Sequence, residues 1–253
     1  MINVILSGCN GQMGRVITES AEANDKICII CGFDKNTEAD PGYPVYASPS
    51  EYDGPADVII DFSHPSAVIP LLDYAIERKL PAVISTTGLS AEQKDKIAEA
   101  SKLIPVFHSA NMSLGVNLLV ELVKKAATVL AGKFDIEIIE KHHNKKIDAP
   151  SGTALMIADA INEAMDSSLS YVYERQSVRE KREPNQMGIH SVRGGTIVGE
   201  HDVIFAGNDE IITVSHTALS KKVFAEGSLK AAEFIAAMPA GLYDMNSIIE
   251  QKG

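Results

Sequence analysis

Apolar residues recur at two spacings along the first half of the chain, and the two spacings alternate. Short unbroken apolar runs are typical of strands buried on both faces, and apolar residues three and four positions apart are typical of helices. The runs predict strands at 2–6, 27–30, 58–62, 82–85 and 106–109. Helical spacings fall between these runs, as at 68–78 and 91–102. This alternation predicts a doubly wound sheet of parallel strands.

The pattern changes from residue 134, where a run alternates apolar and polar positions as far as 141. The strand patterns that come next have no helical spacing between them and lie at 189–192, 197–205 and 211–216. Helical spacing returns at 222–238. We therefore expect an α/β protein with a Rossmann-like doubly wound parallel-sheet domain at 1–112 and 223–253. An inserted α+β domain with a mixed sheet, at 113–222, is expected to bind the substrate.

A glycine-rich turn separates the first strand from the first helix. Its sequence is GCNGQMG, which comprises Gly8, Cys9, Asn10, Gly11, Gln12, Met13 and Gly14. Glycines at this spacing allow a tight turn and let a pyrophosphate approach the backbone at the helix N-terminus. Asp34 follows 20 positions after Gly14, where a carboxylate that binds the ribose of a dinucleotide is expected, and Lys35 could meet a 2′-phosphate. The alternative is a tight turn that binds no ligand.

Small or polar turns also follow three other predicted strands, as SHP at 63–65, STTG at 85–88 and SANM at 109–112. In a parallel sheet the carboxyl ends of the strands share one edge, so these turns are expected to line the cofactor crevice. The residues that we expect there are Ser85, Thr86, Thr87, Ser109, Ala110, Asn111 and Met112.

The segment 142–154, HHNKKIDAPSGTA, has the composition of an active site for a small anion. His142 and His143 end a strand, and because neighbours on a strand point to opposite faces, the two imidazoles can have different roles. Ser151 stands at the N-cap position of a helix, so Gly152 and Thr153 are expected to offer free N–H groups to a carboxylate or a phosphate. The alternative is that the histidines are surface residues and that SGT is only a cap.

Composition excludes several other classes of function. The chain has 253 residues and a net charge of −11, from 23 Lys and Arg against 34 Asp and Glu, which disfavours nucleic acid as a partner. The uncharged stretch 103–120 contains a proline and several polar residues, so we expect core and loop and no membrane association. The N-terminus has no basic region and does not resemble a signal peptide, which favours a cytoplasmic enzyme.

Two further features are expected to be structural. Cys28 and Cys31 form a CxxC pattern, but they lie in an apolar strand, so we expect core residues without redox chemistry and no metal site. The basic loop 175–184 is expected to be solvated and mobile, with transient substrate contact as the alternative.

Four segments resemble the bacterial dihydrodipicolinate reductases, now called 4-hydroxy-tetrahydrodipicolinate reductases. They are GCNGQMG, STTGLS, SANMSLGVN and EKHHNKKIDAPSGTA, in this order over nearly the whole chain. The family signature E-x-H-H-x-x-K-x-D-A-P-S-G-T-A matches here at Glu140, His142, His143, Lys146, Asp148, Ala149, Pro150, Ser151, Gly152, Thr153 and Ala154. The departures are small, with Cys9 and Asn10 where alanine and glycine are common and Ser85 where glycine is frequent.

The resemblance implies a homotetramer that uses NADH or NADPH in lysine biosynthesis through diaminopimelate. It implies that His142 is the proton donor or acceptor, that Lys146 is a second proton donor, and that His143, Gly152 and Thr153 contact the substrate. That substrate is a cyclic dicarboxylate with imine-like conjugation, and its reduction involves loss of water. At neutral pH the ammonium of Lys146 is the expected acid, and His142 assists or orients it.

Two other classes of function stay open at this point. A different two-domain NAD(P)-dependent dehydrogenase would share the first domain but would not require HHxxK followed by SGT. A non-enzymatic NAD(P)-binding sensor would keep the glycine-rich turn and Asp34, and it would need no paired histidine and lysine.

Overall fold

The computed structural model describes residues 1–251, which form two compact units. One consists of Met1–Leu114 and of the chain from Lys221 onward, and the other consists of Gly115–Ser220. In chain order the strands are β1 Ile2–Ser7, β2 Ile27–Phe33, β3 Val45–Tyr46, β4 Val58–Asp61, β5 Ala82–Ile84, β6 Pro105–His108, β7 Asp135–His142, β8 Ser170–Val172, β9 Gln186–Arg193, β10 Gly199–Ala206, β11 Ile211–Ala218 and β12 Gly241–Tyr243. The helices are α1 Gln12–Glu22, α2 Pro65–Arg78, α3 Ala91–Ala100, α4 Leu114–Leu130, α5 Gly152–Ala164, α6 Lys222–Ile235 and α7 Met245–Glu250, with a 3-10 turn at Pro49–Glu51.

The first unit is a seven-stranded sheet in the order β12-β6-β5-β4-β1-β2-β3, and every pair in it is parallel. Its strands are buried on both faces, which is why they are continuously apolar. Residues of α1 and α6 such as Ile17 and Leu229 pack on one face, and residues of α2 and α3 such as Leu71 and Ile97 pack on the other. The predicted doubly wound parallel sheet is therefore confirmed, and it brings the ends of β1, β4, β5 and β6 to one edge.

The second unit is a five-stranded mixed sheet in the order β11-β10-β7-β9-β8. Strand β7 pairs antiparallel with β10 and parallel with β9. One face, here called the inner face, carries Ile136 and Ile138 and is packed against α4 and α5. The opposite face, here called the outer face, carries Glu137 and Ile139. The predicted mixed sheet is confirmed.

Part of the stretch 103–120, which the sequence predicts as core and loop, is helical. Helix α4 begins at Leu114, and its buried residues are Val116, Leu119, Val123 and Ala127. These positions are three or four apart and form one apolar stripe. The stripe continues beyond residue 120, whereas most of the polar residues that indicated a loop come before Leu114. Across the described residues 1–251, no helix is both long enough and apolar enough to cross a membrane.

Candidate active site

The glycine-rich turn has the geometry of a cradle for a diphosphate. Gly8 has φ +79°, and a Cβ there would lie 2.5 Å from the carbonyl oxygen of Phe62. A Cβ on Gly14 would lie 2.2 Å from the carbonyl oxygen of Gly8. Gly11 is the N-cap of α1 and forms no side-chain cap, so the first turn of that helix, which includes Gln12 and Met13, presents its backbone. A Cβ at either Gly8 or Gly14 would clash with neighbouring backbone atoms, so the turn requires glycine at both positions.

A cavity of about 610 Å³ opens beside this turn. Its lining includes Gly8, Gly11, Asp34 and Lys35, together with His64 at the start of α2. His64, which lies in the predicted SHP turn, caps that helix by accepting a hydrogen bond from the Ser66 backbone. The cavity is large enough for one half of a dinucleotide, and two glycines of the turn share it with Asp34 and Lys35, which follow β2.

Asp34 and Asn10 hold two parts of this cavity together. The Asp34 carboxylate accepts hydrogen bonds from the backbone N–H of Asn10 and of Asn36, both at 3.0 Å. The Asn10 side chain donates to the carbonyl of Asn36 at 2.6 Å. Asn10 therefore ties the glycine-rich turn to the end of β2, where a glycine could provide no side-chain donor. Cys9 is fully buried in the core beneath the turn, so its side chain does not reach a ligand.

The other predicted turns differ in how much they expose. Ser85 and Thr86 are buried, and the Thr86 hydroxyl donates to Asp61 at 2.6 Å, whereas Thr87 is exposed. Asp61, at the end of β4, was not predicted; burial raises the pKa of its carboxyl.

The turn after β6 is similarly mixed, because Ala110 is exposed while Asn111 and Met112 are buried. The hydroxyl of Ser109 donates to the carbonyl of Asn111 at 2.8 Å. Of the residues predicted to line the crevice from these two turns, Thr87 and Ala110 are therefore the exposed ones. Lys221, which the sequence analysis did not single out, donates to Gln12 at 2.7 Å.

His142 is the last residue of β7, and its imidazole is held by a buried carboxylate. Nδ1 of His142 lies 2.6 Å from Oε2 of Glu140, which is fully buried. Arg193 donates two hydrogen bonds to the same carboxylate, at 2.7 and 2.6 Å. Burial alone would raise the pKa of Glu140, but the hydrogen bonds from Arg193 and His142 outweigh it and lower that pKa to about 2. Burial lowers the pKa of His142, although Glu140 acts in the opposite direction.

Lys146 lies in the loop after β7 and pairs with a carboxylate of the same loop. Its Nζ is 2.8 Å from Oδ1 of Asp148. The hydrogen bond from Lys146 is the main reason that the pKa of Asp148 is lowered, and the backbone of Gly152 adds to the effect. The sequence predicts that the N–H of Gly152 is available to an anion, and in the structure the Asp148 carboxylate is the anion beside it. The side chain of His143, which follows the strand, is half-buried beside this loop.

The N-terminus of α5 forms where the sequence predicts it. Ser151 is the N-cap, and its hydroxyl accepts a hydrogen bond from the backbone of Ala154 at 3.1 Å. The same hydroxyl is 3.2 Å from Nε2 of His201 on β10, a residue that the sequence analysis missed. Burial lowers the pKa of His201 to about 4, and the nearby His142 contributes to the shift.

The cysteines of β2 and the basic loop 175–184 lie outside the site. Cys31 is buried, Cys28 is partly buried, and both are free thiols in β2. The basic loop 175–184 is tied to the sheet, because Arg175 and Arg182 both donate to Glu137 on the outer face of β7, at 2.8 and 3.1 Å. These ion pairs anchor a segment that the sequence predicts as mobile.

Comparison with known proteins agrees with this geometry. Two family profiles match the chain: "Dihydrodipicolinate reductase, N-terminus" over residues 2–112 and "Dihydrodipicolinate reductase, C-terminus" over residues 115–249. The 4-hydroxy-tetrahydrodipicolinate reductase of Caldanaerobacter subterraneus subsp. tengcongensis is 55% identical over 251 residues, which is 99% of each chain. The enzyme of that name from Clostridium novyi is 49% identical over 252 residues, with all of both chains covered.

Among solved structures, a dipicolinate-bound dihydrodipicolinate reductase from Paenisporosarcina sp. TG-14 has the same fold. Its TM-score is 0.81 at 24% identity, covering 97% of this chain and 99% of the other. A myo-inositol dehydrogenase from Lactobacillus casei, solved in complex with NAD(H) and myo-inositol, shares the fold at a TM-score of 0.58 and 16% identity, over 96% and 89% of the two chains. The family that the sequence predicts is confirmed: the chain belongs to the dihydrodipicolinate reductases.

Proposed function

We propose that this chain reduces 4-hydroxy-tetrahydrodipicolinate to tetrahydrodipicolinate, with loss of water, at the expense of NADH or NADPH. As its family membership indicates, it is an oxidoreductase of lysine biosynthesis through diaminopimelate. The observation that carries the proposal is local to the second unit. One short segment holds an oriented imidazole, a lysine ammonium and a helix N-terminus, and the lysine and helix donors already bind a carboxylate.

The cofactor is assigned to the first unit. The glycine-rich turn would hold the diphosphate at the N-terminus of α1, and Asp34 would accept hydrogen bonds from the ribose hydroxyls. Both oxygens of Asp34 already accept one backbone hydrogen bond, which fixes the carboxylate and leaves each oxygen a further lone pair. When bound, the reduced nicotinamide supplies the hydride. Lys35 lines the same cavity and can partly neutralise a 2′-phosphate, so we expect both cofactors to work, with a modest preference for NADH.

The substrate is assigned to the N-terminus of α5 and the loop before it. The ion pair of Asp148 with Lys146, supported by the Gly152 backbone, indicates that these donors suit a carboxylate. A substrate carboxylate would replace Asp148 on the same donors, with Thr153 and His143 as further contacts. A dicarboxylate fits this site better than a neutral sugar, because the donors are cationic or belong to a helix N-terminus.

Lys146 is assigned the role of acid. Reduction of a conjugated C=N system requires a proton in addition to the hydride. Because burial lowers the pKa of His142, its imidazole is neutral at neutral pH, and the lysine ammonium is then the stronger candidate for the proton donor. His142 would orient or hydrogen-bond the reacting group, and the Asp148 carboxylate would release Lys146 when substrate binds.

We further propose that the chain assembles as a homotetramer through the outer face of the mixed sheet. That face exposes the apolar side chains Val192 and Ile211, which are 45% and 69% exposed. It also carries charged residues that are already paired, as Lys141 is with Glu200 and Asp202 at 3.0 Å. A sheet face that combines exposed apolar side chains with paired charges is suited to packing against a copy of itself. The cytoplasmic location stays a prediction.

A coupled assay tests the proposed reaction. Dihydrodipicolinate synthase would generate the substrate in the cuvette, and oxidation of NADH or NADPH would be followed optically. We expect oxidation that depends on both the synthase and this chain. No oxidation of either cofactor by correctly folded protein would overturn the proposed reaction, and oxidation with an unrelated sugar alone would favour another dehydrogenase.

A further inference from the structure

A single carboxylate connects three parts of the second unit. Glu140 is fully buried, and each of its oxygens accepts two hydrogen bonds. Oε2 faces Nδ1 of His142 at 2.6 Å and Nη1 of Arg193 at 2.7 Å. Oε1 faces Nη2 of Arg193 at 2.6 Å and the backbone N–H of Ser151 at 3.1 Å. The carboxylate therefore has a full set of donors around it, and all of them favour its ionised form.

The position of Glu140 follows from the strand. Glu140 and His142 are two residues apart on β7, so both side chains point to the inner face. Arg193 ends β9, where its backbone is paired with that of His142. Arg193 also donates to the backbone carbonyl of Asp148 at 2.6 Å, which fixes the loop that carries Lys146. Glu140 and Arg193 thus hold the imidazole, the lysine loop and the N-cap of α5 in one arrangement.

The contact with Glu140 determines where His142 carries its proton. A carboxylate accepts a hydrogen bond and cannot donate one when ionised, so Nδ1 of His142 must be the N–H. In the neutral ring Nε2 then has a lone pair. A Cβ on Gly199 of β10 would lie 3.1 Å from this Nε2, so glycine at that position leaves the atom uncovered.

We propose that Glu140 is a positioning residue, which fixes the Nδ1–H tautomer of His142 and presents Nε2 as a hydrogen-bond acceptor. The catalytic part of this inference rests on the proposed function. In the Nδ1–H tautomer, neutral His142 has no proton on Nε2, so it cannot donate the proton that the substrate gains. That proton leaves Nζ of Lys146, whose N–H bond breaks as the bond to the substrate forms.

Glu137 provides a matched control on the same strand. It lies on the outer face and also binds a histidine and two arginines, through His190 at 2.7 Å, Arg175 at 2.8 Å and Arg182 at 3.1 Å. Glu137→Gln makes the same chemical change as Glu140→Gln in a similar set of donors. It should alter stability or assembly and leave the tautomer of His142 unchanged.

Nitrogen NMR of the isotope-labelled full chain tests the tautomer directly. The chain has seven histidines, and the signals of His142 are assigned as those that are lost in His142→Asn. At neutral pH we expect a protonated Nδ1 and an unprotonated Nε2 in the wild type and in Glu137→Gln. In Glu140→Gln we expect a shift towards the Nε2–H tautomer. An Nε2–H tautomer or a charged imidazolium of His142 in the wild type would overturn the proposal, even if Glu140→Gln did not fold.

Steady-state kinetics test the consequence. Glu140→Gln should lower kcat by about 10- to 100-fold, by analogy with the loss of a hydrogen bond that orients a metal-bound histidine. The KM for NADH should not change, because Glu140 belongs to the other unit. Unchanged kcat in folded Glu140→Gln, or an equal loss in Glu137→Gln, would contradict a positioning role. A wild type without reductase activity would refute the proposed function and leave the NMR result to decide the tautomer.

Discussion

Two clusters on strand β7 use the same residue types for different purposes. On the outer face, Glu137 binds two arginines and a histidine, and these anchor a surface loop. On the inner face, Glu140 binds one arginine and one histidine, and it is fully buried beside the N-terminus of α5. The side chain of Glu137 is 23% exposed, so water competes with its partners. The same residue types therefore serve two different roles. What differs between the two faces is how deeply the glutamate is buried and what lies beside it.

The largest expected effect separates the lysines of the two faces. Lys146→Ala removes the proposed acid, so kcat should fall by ~10²–10⁴-fold while the affinity for NADH changes little. The control is Lys141→Ala on the outer face, where loss of a partly exposed ion pair should cost little stability and leave turnover similar. The coupled assay measures both variants, and equal turnover in Lys146→Ala and wild type would remove lysine from the mechanism.

Burial on the inner face should also appear in the pH dependence of stability. The pKa of His201 is about 4 in the folded protein against an ordinary 6.5, so the unfolded chain binds the proton more tightly. Stability is therefore unaffected by His201 above pH 6.5 and decreases as the pH falls from there to about 4. The loss amounts to about 3 kcal/mol at most.

His201→Asn tests this because asparagine does not titrate in that range. Denaturant unfolding of the wild type should lose more stability between neutral and acidic pH than unfolding of the variant. The same loss in both proteins would show that folding does not lower the pKa of His201.

A smaller effect is expected at the anion site. Pyridine-2,6-dicarboxylate, a planar mimic with both carboxylates, should bind and compete with substrate. Thr153→Val removes a hydroxyl and keeps the shape, so it should weaken this inhibitor by ~1–3 kcal/mol, the range for a hydrogen bond to a charged group. Thr128→Val on α4 is the matched control, since the Thr128 hydroxyl donates to the carbonyl of Lys124 in its own helix. Calorimetric titration measures both, and full affinity in Thr153→Val would remove Thr153 from the site.

The smallest expected effect concerns the choice of cofactor in the first unit. Asp34 accepts hydrogen bonds from ribose hydroxyls but repels a 2′-phosphate, so Asp34→Ala should raise the use of NADPH relative to NADH. Comparison of kcat/KM for the two cofactors measures the change. A strong preference of the wild type for NADPH would contradict the roles assigned to Asp34 and Lys35.

Local sequence patterns predicted much of the fold and part of the site. The glycine-rich turn and the cap at Ser151 are set by neighbouring residues, so spacing alone indicated them. Arg193 and His201 were missed because they reach the site from positions 53 residues from Glu140 and 50 residues from Ser151. No periodicity reports such pairings, which depend on the register of the mixed sheet. The position of Asp148 beside the N–H of Gly152 was missed for a similar reason, because a cap pattern does not show which carboxylate lies near it.

The pH dependence of kcat/KM is the most direct test that the reaction needs neutral His142 with Nε2 as an acceptor. This dependence reports the protonation states that the free enzyme needs. The coupled assay would be run with the synthase in excess at every pH. If Nε2 of His142 must accept a hydrogen bond, activity should fall at acid pH, where the imidazole gains a proton. Because burial lowers the pKa of His142, this fall should occur below pH 6.5. In Glu140→Gln, which lacks the charge that favours the imidazolium, this loss should move to lower pH. Activity that rises as the wild-type His142 becomes protonated would make the imidazolium the acid and would contradict the account.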